Sequence, residues 1–212
     1  MKVAILSESE ADEAVIRVIV DGILRKPTEA VPHMGLRSRG WPAVRDVLPP
    51  VIRHLQYQTE AEALVVVVDS NHSPAHQVEH SPDDPETRCR VCELHRSATR
   101  TIRGLRPAED RPLIRVAVGL TVPSLEAWLR CGHDPEVCET TWQDGLDRKH
   151  DPYTRNELKH RVYGTDRPSI EILKRRGVEE AHRLITDFAT LEARFPGGFG
   201  TFAAEIRSWR TG

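Results

Sequence analysis

Ala63-Leu64-Val65-Val66-Val67-Val68-Asp69-Ser70-Asn71 is the stretch on which the fold turns. Six apolar residues, four of them consecutive valines, run without interruption into a carboxylate. A run this short and β-branched, apolar at odd and even positions alike, has the pattern of a parallel strand covered on both faces. Asp69 then stands where the strand ends. In open α/β sheets the carboxyl ends of the strands frame the crevice where ligands bind. Read locally, the same residue is a turn cap, a role Asp often takes.

Before this stretch, Lys2 to Ser7 reads as a first strand that runs into Ser7-Glu8-Ser9-Glu10. Ala11, Val15, Val18, Ile19, Gly22 and Ile23 then mark one face of a helix, and Ser9 with Asp12 has the form of a capping box. A short strand is expected over Ala30 to Met34. Val44, Val47, Leu48, Val51, Ile52 and Leu55 recur with helical period, but Pro49-Pro50 interrupts them, which predicts two short helices or one kinked one.

After the valine run, Ser70 to Arg88 is polar, and helical character returns over Cys89 to Leu105. Leu113 to Val118, closed by Gly119, is a further strand. Thr121 to Leu129 reads as a turn and a helix with proline near its start. After Gly132 the pattern changes: His133 to Pro152 is polar and charged, and the remainder is helical. Val178, Ala181, Leu184, Ile185, Phe188 and Leu191 predict one helix, and Phe199, Phe202, Ile206 and Trp209 a last short one. The expected fold is α/β, a Rossmann-like, mostly parallel sheet flanked by helices over residues 1–132. A His/Cys-rich insertion lies at about 70–95, and a helical extension spans 133–212.

The formal charge of −2 over 212 residues advertises no global field for nucleic acid, though it permits a local basic groove. No stretch reaches the roughly 18 apolar residues of a membrane span. The start of the chain lacks the longer apolar region of a signal peptide, so a cytoplasmic protein is expected. There the four cysteines read as metal ligands or inert thiols rather than disulfides.

His72, His76 and His80 recur at intervals of four and are followed by Cys89-Arg90-Val91-Cys92-Glu93-Leu94-His95. Cys-x-x-Cys with nearby imidazoles has the donor types of a tetrahedral Zn²⁺ site. Cys89, Cys92, His80 and His95 form the expected set, with His76 an alternative fourth ligand and Cys131 and Cys138 an alternative completion. The plain alternative is an ordinary helix start beside loop histidines. Trp41, Trp128 and Trp209 sit among aliphatics and read as core, and Gly197-Gly198 reads as a turn between helices.

Glu8 follows the first strand, Asp69 the valine strand, and Glu126 the last strand. In a parallel sheet, right-handed crossovers bring all three to one edge. Gathered carboxylates repel unless a divalent cation neutralises them, and oxygen donors favour Mg²⁺ or Mn²⁺. Those ions suit phosphodiester chemistry. A phosphatase using Asp69 as nucleophile is a further class.

At three places the chain resembles the Toprim (topoisomerase–primase) family, and more narrowly its small stand-alone bacterial members, some found in phage-defence loci beside an ATPase. The first is strand one with Glu8 and the following Ser9-Glu10-Ala11-Asp12-Glu13, where the family usually has Glu-Gly. The second is Asp69-Ser70-Asn71, where the family carries Asp-x-Asp. The third is Val122-Pro123-Ser124-Leu125-Glu126-Ala127-Trp128-Leu129, similar to a Pro-x-(hydrophobic)-Glu-Ala-Trp-Leu segment. The resemblance implies a metal-dependent nuclease. Glu8 would be general acid/base or metal ligand, Asp69 the principal Mg²⁺ ligand, and Glu126 would complete the cluster. Asn71 departs from the pattern; its amide oxygen can coordinate but brings no charge.

Lys159, Arg155 and Arg161 are candidates to meet a scissile phosphate, and Arg37 and Arg39 candidates to touch nucleic acid. The expected cofactors are Mg²⁺ or Mn²⁺, with structural Zn²⁺. The expected partners are nucleic acid and an ATPase, with homo-oligomerisation left open. The rival expectation is a degenerate, zinc-stapled scaffold that binds the ATPase.

Overall fold

The computed structural model describes residues 1–31, 40–77, 79–81, 83, 89–107 and 111–211. Arg37 and Arg39 lie outside them. The chain runs β1 (Lys2–Leu6), α1 (Glu10–Leu24), β2 (Glu29–Ala30), α2 (Trp41–Gln58), β3 (Ala63–Asp69), α3 (Arg90–Arg103) and β4 (Arg115–Thr121). Helices follow: α4 (Leu125–Arg130), α5 (Glu139–Asp147), α6 (Arg155–Tyr163), α7 (Ile170–Leu184), α8 (Phe188–Arg194) and α9 (Thr201–Ser208).

The valine run is β3, and its interior place in the sheet explains its composition. It is flanked by β1 and β4 in a parallel sheet of order β2-β1-β3-β4. Leu64, Val65 and Val66 are fully buried because both faces of the sheet are covered. Each such aliphatic side chain contributes about 1.5–3 kcal/mol of burial free energy. The chain leaves β1 for β2 on one side, then returns past β1 to β3. Right-handed crossovers therefore place α1 on one face and α2 and α3 on the other. The packing agrees, since α2 lies on α3 while α1 contacts α7 and α9. No helix among the described residues is long and apolar enough to cross a membrane.

Several elements differ from expectation for identifiable reasons. α2 is one continuous helix through Pro49 and Pro50. The prolines remove two amide donors, but Val44, Leu48, Ile52 and Leu55 on the same face are fully buried and hold it together. Gly119 lies inside β4 rather than closing it, and the position is glycine because a Cβ there would come within 3.2 Å of both the Trp128 and the Phe202 rings. The helix expected through Leu191 breaks after Leu184. Asp187 caps α8 by accepting the Thr190 N–H at 3.1 Å. β2 covers Glu29–Ala30 among the described residues, paired with β1. Trp128 and Trp209 are core, whereas Trp41 is partly buried. One hydrophobic core joins the sheet to the later helices, with Trp128 edge-on to Phe199 at 5.1 Å and stacked on Phe202 at 6.0 Å.

Candidate functional site

The strand order reverses direction between β1 and β3, and the crevice at such a switch point is where an open α/β sheet binds ligands. Glu8 leaves β1 on one side of it and Asp69 ends β3 on the other. The β3–β4 register pairs Asp69 with Thr121. It is prolonged by Ser70 N–H to Thr121 O (2.8 Å) and Asn71 N–H to Pro123 O (3.0 Å). This zipper carries the chain into α4, where Glu126 is buried and accepts the Ser124 hydroxyl at 2.6 Å. Asn71 has φ 50°, a left-handed conformation that asparagine adopts more readily than most residues. Its amide is therefore compatible with a local backbone demand as well as with ligation.

Asp12, in the first turn of α1, joins the cluster. Ser9 caps that helix through the Asp12 N–H at 3.1 Å. Burial pushes the Asp12 carboxyl up to about 6; Glu126 and Glu8 add to the rise, against the Ser9 hydrogen bond and Lys159. Burial pushes Asp69 up to about 7, with Glu8 and Glu126 adding to the rise, against Arg155 and the Thr121 hydroxyl, which donates to it at 2.7 Å. The Tyr163 phenol is likewise pushed up, by burial and then by Glu126, Asp12 and Asp69, so it keeps its proton. One carboxylate oxygen of Glu8, Oε1, is buried without a hydrogen-bond partner among the described residues. The site thus gathers more negative charge than its cations neutralise.

The cations come from two helices. α6 begins in a capping box, with Thr154 Oγ1 accepting the Glu157 N–H (3.2 Å) and Glu157 accepting the Thr154 N–H (2.6 Å). Arg155, Lys159 and Tyr163 follow at i, i+4 and i+8, one face of that helix. Arg155 pairs with Asp69 and donates to the Asn71 amide oxygen at 2.6 Å. Arg161 points elsewhere and pairs with Asp134. From α3, Arg90 donates to the Asp69 backbone carbonyl and lies 5.0 Å above the Trp41 ring.

Beside this edge lies a second cluster of His76, His80, Cys89 and Cys92, whose ligand atoms all lie within 4.8 Å of one another. His76 Nδ1 is 3.3 Å from Cys89 Sγ and 3.6 Å from Cys92 Sγ. A tetrahedral zinc with the usual Zn–S and Zn–N lengths has N···S edges of about 3.5 Å. The cluster can hold a metal such as zinc. Burial, then His80 and His95, hold His76 below its ordinary pKa, in the neutral form that ligates.

The fourth position belongs to His76 rather than His95, whose Nε2 bonds Glu205 at 2.9 Å. Cys138 caps α5 by accepting the Thr141 N–H at 3.5 Å, and Cys131 is a buried thiol; neither joins the cluster. His72 is exposed, 4.0 Å from Asp151. The His76 carbonyl abuts Gly197, and Leu120 O abuts Gly198; a Cβ at either glycine would clash with these backbones. Both glycine N–H groups donate to the buried Glu139 carboxylate, at 2.9 and 2.6 Å.

Of the residues missed from sequence, Asp12 carried a signal, a carboxylate one turn into the helix after Glu8. Arg90, Tyr163 and Glu139 carried none that local pattern reveals. Fold and site together define a class: a parallel α/β domain with a carboxylate cluster at its switch point and a His₂Cys₂ cluster alongside. Compared with family models, with curated proteins and with solved structures, the chain finds no match.

Proposed function

We propose that the chain is a Toprim-like nuclease that hydrolyses phosphodiester bonds of DNA or RNA with Mg²⁺ or Mn²⁺, in an antiviral-defence or genome-maintenance setting. The observation that carries this reading is the convergence of Glu8, Asp12, Asp69 and Glu126 on one buried edge, with Glu8 Oε1 left without a hydrogen-bond partner among the described residues. A divalent ion there would polarise the phosphate and lower the pKa of a bound water. Glu8, Asp69 and Glu126, with the Asn71 amide oxygen, are the donors that would hold it. Glu8 is the group to take the proton of the attacking water. Arg155 and Lys159 would attract the phosphate and balance charge as the leaving oxygen departs. Zinc held by the His₂Cys₂ cluster would fix the start of α3 and so set Arg90 against Asp69.

One observation favours a second reading. Arg155 already spans Asp69 and Asn71, an internal pairing suited to a zinc-stapled scaffold that binds a partner ATPase. The test is cleavage of labelled duplex DNA, single-stranded DNA and RNA with Mg²⁺ or Mn²⁺. The nuclease reading predicts metal-dependent cleavage that falls by at least about 10²-fold in Glu8→Ala and in Asp69→Ala. Wild-type protein that cuts nothing, with the ATPase supplied, supports the scaffold. Undiminished cleavage by Asp69→Ala refutes the site.

A further inference from the structure

A groove of about 430 Å³ runs between α2 and α3, away from the carboxylates. Arg45 and Arg53 line it from α2, and Arg96 and Arg100, with Glu93, from α3. Among the described residues the groove lining thus holds four guanidiniums and one carboxylate, in a chain whose formal charge is −2. The spacing explains the alignment. Residues 45 and 53 are two turns apart on one helix, and 93, 96 and 100 fall on one face of the other.

Arg45 bonds Asp46 at 3.0 Å and Glu93 at 3.4 Å, so that end is internally balanced. Arg53 and Arg100, both exposed, have no ion pair among the described residues. Both helices follow strands of one parallel sheet and run side by side from its carboxyl edge. Trp41 and Arg90 meet at that end, where Arg90 also touches Asp69. From Arg90 to Arg100, α3 rises about 15 Å. At about 3.4 Å per nucleotide, that spans roughly four phosphates of one duplex strand.

We propose that the α2/α3 groove is a track for the phosphate backbone of duplex DNA, leading to the carboxylate edge. This deepens the nuclease reading and rests on it for direction, though not for binding. The occupant follows from what lines the groove. Among the described residues no aromatic side chain lines the groove itself, and Trp41 at its carboxyl-edge end already lies under Arg90, whereas single-strand sites depend on stacking platforms. Its hydroxyls are those of Ser97 and the buried Thr101, and Thr101 already donates to Ser97 O at 2.8 Å. That leaves little to read the 2′-hydroxyls by which RNA is distinguished. What remains is charge, which suits a DNA backbone.

The test is fluorescence anisotropy with a short labelled DNA duplex, without added divalent ion so that binding is read apart from cleavage. Wild type is compared with Arg53→Ala/Arg100→Ala and with Arg175→Ala/Arg176→Ala, exposed arginines on α7 across the sheet. Equal thermal melts serve as the folding control. The groove variant should bind at least about tenfold more weakly, and its slope of log affinity against log salt should shrink by about 2, while the α7 variant binds as wild type. Unchanged affinity in the groove variant, or equal losses in both variants, overturns the proposal. So does a wild type that binds no duplex, or stronger competition by single-stranded DNA or duplex RNA than by duplex DNA. Binding that needs the groove, in a protein that cuts nothing, upholds the track while the nuclease reading fails.

Discussion

Glu139 sets two physical effects against each other, and their outcome can be measured. It is the first residue of α5, 5% exposed, and its carboxylate accepts the Gly197 and Gly198 N–H groups. Burial raises its pKa; the two backbone donors lower it. Burial wins, and the group stands at about 7 against an ordinary 4.5. At about 1.4 kcal/mol per pH unit, that gap is worth about 3 kcal/mol. The sign follows from proton uptake. The folded state holds the proton more tightly than the unfolded chain, so this contribution is complete below about pH 4.5 and lost as pH rises through about 7.

The perturbation is Glu139→Gln, which keeps the shape and one acceptor oxygen but does not titrate. Urea unfolding of both proteins between those pH values gives the difference in stability. Asp12 and Asp69 titrate in the same window, but equally in both proteins, so they cancel. The advantage of wild type over the variant should shrink by about 3 kcal/mol as pH rises from 4.5 to above 7. A difference that stays flat, or grows with pH, would refute the reasoning and show that the glycine donors hold the carboxylate ionised.

Gly198→Ala places a methyl group against Leu120 O and within 2.8 Å of Glu139 Oε1, so urea unfolding should show a loss of about 3 kcal/mol. A loss below about 0.5 kcal/mol would mean the turn over Pro196–Gly200 is loosely held. Zinc analysis of purified protein should find one ion per chain, retained in His95→Ala and lost in Cys92→Ser and in His76→Ala. Retention in His76→Ala with loss in His95→Ala would restore the other ligand set. Removing zinc by chelation should also abolish cleavage, by freeing the start of α3 and with it Arg90. Zinc-free protein with full activity would separate the two clusters.

The parts of the fold that could be read locally are those where burial leaves a local trace. β3 is legible because a strand covered on both faces must be apolar at every position, and its last residue then names the sheet edge. Glu8, Asp69 and Glu126 follow from that edge and from parallel order. Lys159 and Arg155 were legible as candidates, and their four-residue spacing on α6, which begins at the Thr154 capping box, puts them on one face. What local pattern hid depends on partners distant in the chain. His95 has the right spacing from Cys92, but its neighbour Glu205 comes from α9. Gly119 looks like a strand end until Phe202 and Trp128 demand the room of a side chain. Glu139 lies in a stretch that reads only as polar and charged, and Gly197-Gly198 reads as a turn, although together with His76 and Leu120 they form one tight backbone junction.

The central claim is that the carboxylates at the β1/β3 switch point form a divalent-cation site. Calorimetric titration of zinc-loaded protein with Mn²⁺, for wild type and Asp69→Asn, tests it without depending on the substrate. Wild type should bind Mn²⁺ saturably, and the variant more than about tenfold more weakly. Wild-type protein that binds no Mn²⁺, or a variant that binds it equally well, would contradict the account.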